Sequence, residues 1–142
     1  MKPTLQDAIK LAKTAHAGQV DKSGAPYFGH LQRVMDNVDG DDAKMVAVLH
    51  DSLEDTHLTA DHLHKYGYPE RIVTAIEGVT KRPNEEYMKF VQRAATNPLS
   101  RQVKIADLRD NMNLGRLRNP TDEDRMRRLK YKSALDAIQK LT

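Results

Sequence analysis

The segment VAVLHDSLEDT, Val46 to Thr56, sets His50, Asp51, Glu54 and Asp55 against the end of an apolar run. Imidazole and carboxylate are side-chain types that can both hold a divalent cation and move a proton. On a continuous helix, Val46, Leu49 and Leu53 fall on one stripe, and His50, Asp51 and Glu54 share an adjoining face. Carboxylates crowded within about one and a half turns repel one another and lose hydration beside a core, a penalty that a bound divalent cation would cancel. A solvated acidic helix end accounts for the same residues without any cation, so this segment alone leaves both readings open.

Distant residues enlarge the set. His30 opens a helix after a loop rich in Gly and Pro, and Asp107 is an isolated acid that follows an apolar stretch in VKIADLRDNMNL. Together His30, His50, Asp51 and Asp107 would make a mixed nitrogen and oxygen shell suited to Mn, Fe, Zn or a similar ion. The chain has no Cys, which excludes a disulfide framework, a thiolate metal site and a catalytic thiol.

The elements that must position these residues read as helices. Apolar residues recur at helical spacing almost everywhere, as in Leu5, Ala8, Ile9, Ala12 and Ala15, and Thr4 can cap that first helix. DKSGAPYFG then breaks it, making a loop of about a dozen residues that a compact domain rarely carries without purpose. The periodicity predicts further helices over roughly 30–38, 42–53, 59–66, 69–79, 84–95, 100–114 and 121–141, with TDED at Thr121 resembling a capping box. No strand pattern, repeat or low-complexity tract is visible. The expectation is an all-α bundle of about eight helices, a single domain over residues 1–142, with an aliphatic core since aromatics are 5% and Trp is absent.

A net charge of +3 with 30% charged residues of both signs is mild for a dedicated nucleic-acid binder, which makes nucleic acid an unlikely partner. The densest basic stretch, DRMRRLKYKS, holds Arg125, Arg127, Arg128, Lys130 and Lys132 and could still form a local anion patch. The N-terminal MKPTLQDAIKLAK is amphipathic from the start and no apolar run reaches membrane length, so the cytoplasm is the default location.

The segments AHAGQ and KSGAPYFGH, then LHDSLEDT, GVTK and VKIADLRDN, occur in an order that resembles the HD-domain metal-dependent phosphohydrolases. They are most similar to the hydrolase domain of the RelA/SpoT family and its stand-alone small alarmone hydrolases, over about Ala15 to Tyr131. The resemblance implies that His30, His50, Asp51 and Asp107 hold one metal, typically manganese, and that Glu54 and Asp55 serve catalysis. It implies removal of pyrophosphate from the ribose 3′ position of a guanosine alarmone, ppGpp or pppGpp, a nucleotide of the stringent response. A metal of this kind polarises a phosphate oxygen and lowers the pKa of bound water. Glu54 would orient or deprotonate that water, with Asp55 assisting.

The resemblance also assigns substrate contacts. Lys22 and Ser23 match positions that approach the nucleotide, and Asn111 one that contacts the sugar; Lys104 precedes the expected ligand Asp107 by three residues. Arg127 and Tyr131, four residues apart, match a pattern in which an Arg grips phosphate and a Tyr offers a flat face. Tyr27 is expected to wall the loop, while Arg109 and Asp110 are expected to face solvent, with pairing to neighbouring charges as the alternative. Three positions depart from the pattern: Asp21 where an Arg is common, Leu114 in place of Thr, and Leu31 in place of Pro. Reversing the charge at Asp21 removes a guanidinium that could face a purine, which admits an adenosine alarmone as the alternative substrate. An HD-type nucleotidase releasing orthophosphate is the other alternative.

Overall fold

The computed structural model describes residues 2–141. It contains, in chain order, α1 (Leu5–Ala15), α2 (Phe28–Asp36), α3 (Asp41–Leu49), α4 (Ser52–Asp55), α5 (Ala60–Lys65), α6 (Glu70–Gly78), α7 (Tyr87–Ala95), α8 (Pro98–Asn111), a 3-10 turn (Leu114–Arg116) and α9 (Asp122–Lys140). Among the described residues the sole extended pairing is an isolated bridge between Val20 and Pro26, which closes the loop between α1 and α2. The all-α expectation holds.

Helix starts follow the local chemistry. Thr4 and Asp7 exchange hydrogen bonds at the head of α1, 2.8 and 3.2 Å, and Thr121 and Asp124 do the same for α9, 2.8 and 3.1 Å, each satisfying amides that have no partner inside the helix. α8 starts with Pro98, whose missing N–H is no loss at that position, behind an Asn97 side chain that accepts from the amides of Leu99 and Ser100.

α3 is the centre of the molecule. Ala43, Val46, Ala47, Val48 and Leu49 are all buried, because this helix is covered by α1, α2, α6 and α8 at once. Its partners supply Ala8, Ala12, Leu31, Val34, Ile72, Ile76 and Val103 to one aliphatic core. A second, smaller core of Val91, Leu108, Ala134 and Ile138 joins α7, α8 and α9. α8 therefore lies between two cores, and Asp107 sits between Ala106 of one and Leu108 of the other.

Two boundaries differ from the periodicity. The predicted helix over 42–53 is broken after Leu49 and resumes at Ser52, so His50 and Asp51 form a turn between α3 and α4. Side chains compete for the carbonyls there: His50 Nδ1 donates to Ala47 O at 2.6 Å and Ser52 Oγ to Leu49 O at 2.7 Å. The predicted helix over 100–114 runs instead from Pro98 to Asn111, with Leu114 in the separate 3-10 turn.

α6 and α8 approach closely where Gly78 faces Ser100, whose hydroxyl donates to Ala75 O at 2.7 Å. A Cβ on Gly78 would collide with Ser100 Oγ and lie 3.1 Å from Ser100 Cβ. Gly78→Ala should therefore destabilise the fold by about 1–3 kcal/mol, read as a lowered urea midpoint. An unchanged midpoint would mean that α8 has room to retreat.

Candidate metal centre

His30 is brought in by the first turn of α2, His50 and Asp51 by the turn between α3 and α4, and Asp107 by the middle of α8. His30, His50 and Asp107 are buried, and one ligand atom from each lies within 4.8 Å of the others, so this group could hold a metal ion. His30 Nε2 and His50 Nε2 lie 3.0 and 3.1 Å from the same oxygen, Asp107 Oδ1. Asp51 Oδ2 stands 3.2 Å from His50 Nε2 and 3.8 Å from His30 Nε2. The fourth residue of the expected shell thus lies at its edge.

The other nitrogen of each imidazole fixes what these contacts mean. His50 Nδ1 faces the carbonyl of Ala47, which can only accept, and His30 Nδ1 faces the Asp110 carboxylate at 2.6 Å. Both Nδ1 atoms therefore carry the hydrogen, and in the neutral ring each Nε2 is a lone pair. Two lone pairs then point at one carboxylate oxygen, an arrangement that is repulsive unless a proton or a cation stands between them. Orientation of a ring through its far nitrogen is how metal-binding histidines are held.

The titration of these groups reports the same need for positive charge. Burial opposes protonation of His30, but its hydrogen bonds to Asp107 and Asp110 win and raise it to about 10. His50 is likewise raised, burial being outweighed by Asp51 and Asp107. Burial also opposes ionisation of Asp107, yet Lys104, His50 and His30 hold its carboxyl well below the usual carboxylate range. Lys104 reaches Asp107 Oδ2 at 3.2 Å, and Asn111 Nδ2 donates to Oδ1 at 3.1 Å.

Glu54 and Asp55 stand on α4, one turn beyond Asp51. Glu54 Oε1 accepts from the main-chain N–H of Lys81 at 2.6 Å, which gives the GVTK segment a concrete task. Partial loss of hydration raises both carboxyls, with Asp51 adding to each by repulsion. Gln19 Nε2 donates to the Asp55 carbonyl at 2.8 Å, and Gln19 Oε1 lies at the same distance from His16 Nδ1, tying the loop after α1 to the end of α4.

A cleft of about 270 Å³ opens beside His30. Lys22, Ser23, Asn111, Arg127 and Tyr131 all line it, together with Tyr27 and Asp124. Asp124 bridges two of its four cations, lying 2.6 Å from Arg127 and 3.7 Å from Lys22. Lys104 is not part of this lining: it is buried behind Asp107, with its ammonium 4.7 Å from the centre of the Phe90 ring. Asp21, the departure from the expected Arg, uses Oδ1 to accept from Ser23 N, Ser23 Oγ and Ala25 N at 2.9, 2.6 and 3.1 Å. The Ser23 hydroxyl is therefore already committed to a turn.

The structure corrects one expectation and exposes two contacts that the sequence reading missed. Asp110 does not face solvent. It receives His30 Nδ1, Arg33 Nε at 2.8 Å and Arg116 Nη2 at 3.4 Å, and although burial opposes ionisation, the bonds from His30 and Arg33 hold it at about 2. Its place three residues after Asp107 carried a signal, because a buried histidine ligand needs a partner for its second nitrogen. Arg109, beside it, is exposed as expected. Tyr27 does more than wall the loop, since its hydroxyl donates to Asp51 Oδ2.

No family model matches the chain. It is 32% identical over 124 residues to guanosine-3′,5′-bis(diphosphate) 3′-pyrophosphohydrolase of Aquifex aeolicus, covering 76% of this chain and 17% of that protein. It is 28% identical over 130 residues to the bifunctional (p)ppGpp synthase/hydrolase SpoT of Escherichia coli, covering 80% and 18%, and 31% identical over 121 residues to a GTP pyrophosphokinase of Streptomyces antibioticus, covering 76% and 14%. The chain thus spans about one sixth of the length of these relatives. A solved structure of a metazoan ortholog of SpoT that hydrolyzes ppGpp superposes with a TM-score of 0.78 at 21% identity, over 97% of this chain and 87% of that one. That likeness is one of fold. Among the described residues no helix is long and apolar enough to cross a membrane.

A cation bound between His30 and His50 needs both rings neutral, whereas His30 in the ion-free chain keeps its proton up to about 10. Metal binding at pH 7.5 should therefore release at least one proton, and affinity should rise with pH. Calorimetry in two buffers of different ionisation enthalpy reads this directly; equal heats would contradict it. In the same assay Asp110→Asn should weaken binding by about 10-fold to 100-fold.

Proposed function

We propose that this chain, a relative of the guanosine-3′,5′-bis(diphosphate) 3′-pyrophosphohydrolases, is a metal-dependent hydrolase that removes the 3′-pyrophosphate of an alarmone nucleotide in the cytoplasm. The observation that carries this reading is the pair of imidazole Nε2 atoms directed at Asp107 Oδ1, 3.0 and 3.1 Å away. His30, His50 and Asp107 would hold the ion, with Asp51 as the fourth ligand and manganese as the ion. When bound, such an ion supplies charge neutralisation at phosphate oxygen and a more acidic water.

The chain's own residues do the rest. Glu54, pinned through Oε1 by the Lys81 amide, keeps Oε2 to accept a proton from water, and its raised carboxyl matches a base that must also release that proton. Asp55, also raised, assists proton transfer toward the departing ribose oxygen. Water oxygen bonds to phosphorus, the bond from phosphorus to the ribose 3′ oxygen breaks, and that oxygen takes up a proton. Pyrophosphate and a nucleoside 5′-di- or triphosphate result.

Arg127 and Lys22 would grip phosphate once it displaces Asp124, which occupies both cations in the ligand-free cleft. Asn111 stands beside Asp107 for the sugar, and Tyr131 offers its ring to the nucleotide. Lys104 acts from behind, keeping Asp107 ionised. An adenosine alarmone is the second reading, admitted because the rim of the cleft has a turn-forming carboxylate, Asp21, in place of the guanidinium that the resemblance implies.

The test is to incubate the manganese-loaded protein with ppGpp and ppApp side by side and identify the products. Pyrophosphate is expected from at least one substrate; orthophosphate alone would instead mean a nucleotidase. Asp107→Ala should lose both bound metal and turnover, whereas Glu54→Ala should keep metal while turnover falls by about 100-fold or more. Wild-type turnover in both variants would refute the assignment.

A further inference from the structure

On the other side of α8 lies a larger cleft of about 640 Å³, lined by residues of the α2–α3 connection, the end of α7 and one face of α8. Its volume is in the range of pockets that enclose a nucleotide-sized molecule. Arg101 and Arg109 stand on its α8 wall, with Ile105 between them and Ala95 and Pro98 nearby. Arg101 Nε is buried without a hydrogen-bond partner. Buried polar atoms are almost always satisfied, and among the described residues the Arg101 side chain makes no hydrogen bond or ion pair, which leaves its guanidinium without a fixed partner on the cleft wall.

The charge around the cleft points the same way. Neither Arg101 nor Arg109 has an ion pair among the described residues, a state shared with Arg82, Arg118 and Arg128, which do not line this cleft, whereas Arg33, Arg71, Arg93, Arg116, Arg125 and Arg127 each have a carboxylate. Two carboxylates line the cleft. Asp110 is already committed to His30, Arg33 and Arg116, which leaves Asp39 alone against two guanidinium groups. Eight residues of helix separate the two arginines by about 12 Å along the axis, close enough for long side chains to converge on one group of phosphates. Guanidinium forks suit phosphate oxygens, and the aliphatic strip at Ile105 and Ala106 suits the face of a flat ring.

We propose that this second cleft binds a phosphorylated molecule of nucleotide size, its phosphates held by Arg101 and Arg109 and its ring laid against Ile105 and Ala106. Asn37, Gln102 and Asn113 supply hydrogen-bonding groups at its edge. Asn113 borders both clefts, but His30, Lys22 and Arg127 line only the first, and occupation of the second does not depend on the catalytic reading.

Amide-resolved NMR of the full chain with magnesium, titrated with GDP and separately with guanosine, tests this. GDP should move the signals of Thr96, Arg101, Gln102 and Arg109 along one saturating curve, apart from any response at Lys22, Ser23 and Arg127, and guanosine should bind the first group at least tenfold more weakly. Arg101→Gln combined with Arg109→Gln should weaken the first response at least tenfold and leave the second unchanged, and Arg127→Gln should do the reverse. The wild-type titration decides even if the double variant does not fold. A response confined to Lys22, Ser23 and Arg127, equal binding of guanosine and GDP, or undiminished binding by the folded double variant would overturn the proposal. Turnover is not part of the readout, so failure here is distinct from failure of the hydrolase assignment.

Discussion

Two imidazole nitrogens that are bare lone pairs in the neutral rings are aimed at one carboxylate oxygen, and that conflict is the constraint around which the rest of the molecule is arranged. The carbonyl of Ala47 and the carboxylate of Asp110 fix the tautomers, so the rings cannot relieve the repulsion by moving their protons to the other side. Only added positive charge does so. Protons supply it in the ion-free chain, and this is why His30 is raised so far despite its burial. A divalent cation held by His30, His50 and Asp107 would supply more charge at the same point.

The architecture keeps this conflict from relaxing. α3 is buried on nearly every side, so the turn that presents His50 and Asp51 is anchored at its start by Leu49 and the residues before it. α8 is gripped between two aliphatic cores, and Asp107 and Lys104 sit on its buried side. The loop after α1 closes the arrangement from above, with Tyr27 bonded to Asp51 and Gln19 bonded to the end of α4. Glu54 and Asp55, exposed on a short element beside such a rigid centre, keep access to water while their distance from the candidate metal centre stays set.

The helices and the grouping of His30, His50 and Asp107 were legible because they rest on local pattern: apolar periodicity for the elements, and polar groups out of place in apolar stretches for His50 and Asp107. Asp110 was not legible as a buried group, since its burial comes from Arg33 and Arg116, which reach it from other elements. The break after Leu49 was hidden for a related reason. Nothing in VAVLHDSLEDT is a helix breaker by propensity, and the interruption depends on His50 and Ser52 taking main-chain carbonyls. The order of motifs pointed to the RelA/SpoT hydrolase domain, and the relative from Escherichia coli is a bifunctional (p)ppGpp synthase/hydrolase, yet Asp21 departs from the expected pattern and is spent on a turn, accepting from Ser23 and Ala25.

Anomalous diffraction at the manganese edge, on crystals of protein purified with manganese, addresses the central claim most directly. One peak per chain is predicted, within coordination distance of His30 Nε2, His50 Nε2 and a carboxylate oxygen of Asp107. Density showing the two imidazoles still in direct contact with Asp107, and no anomalous signal between them, would contradict the account.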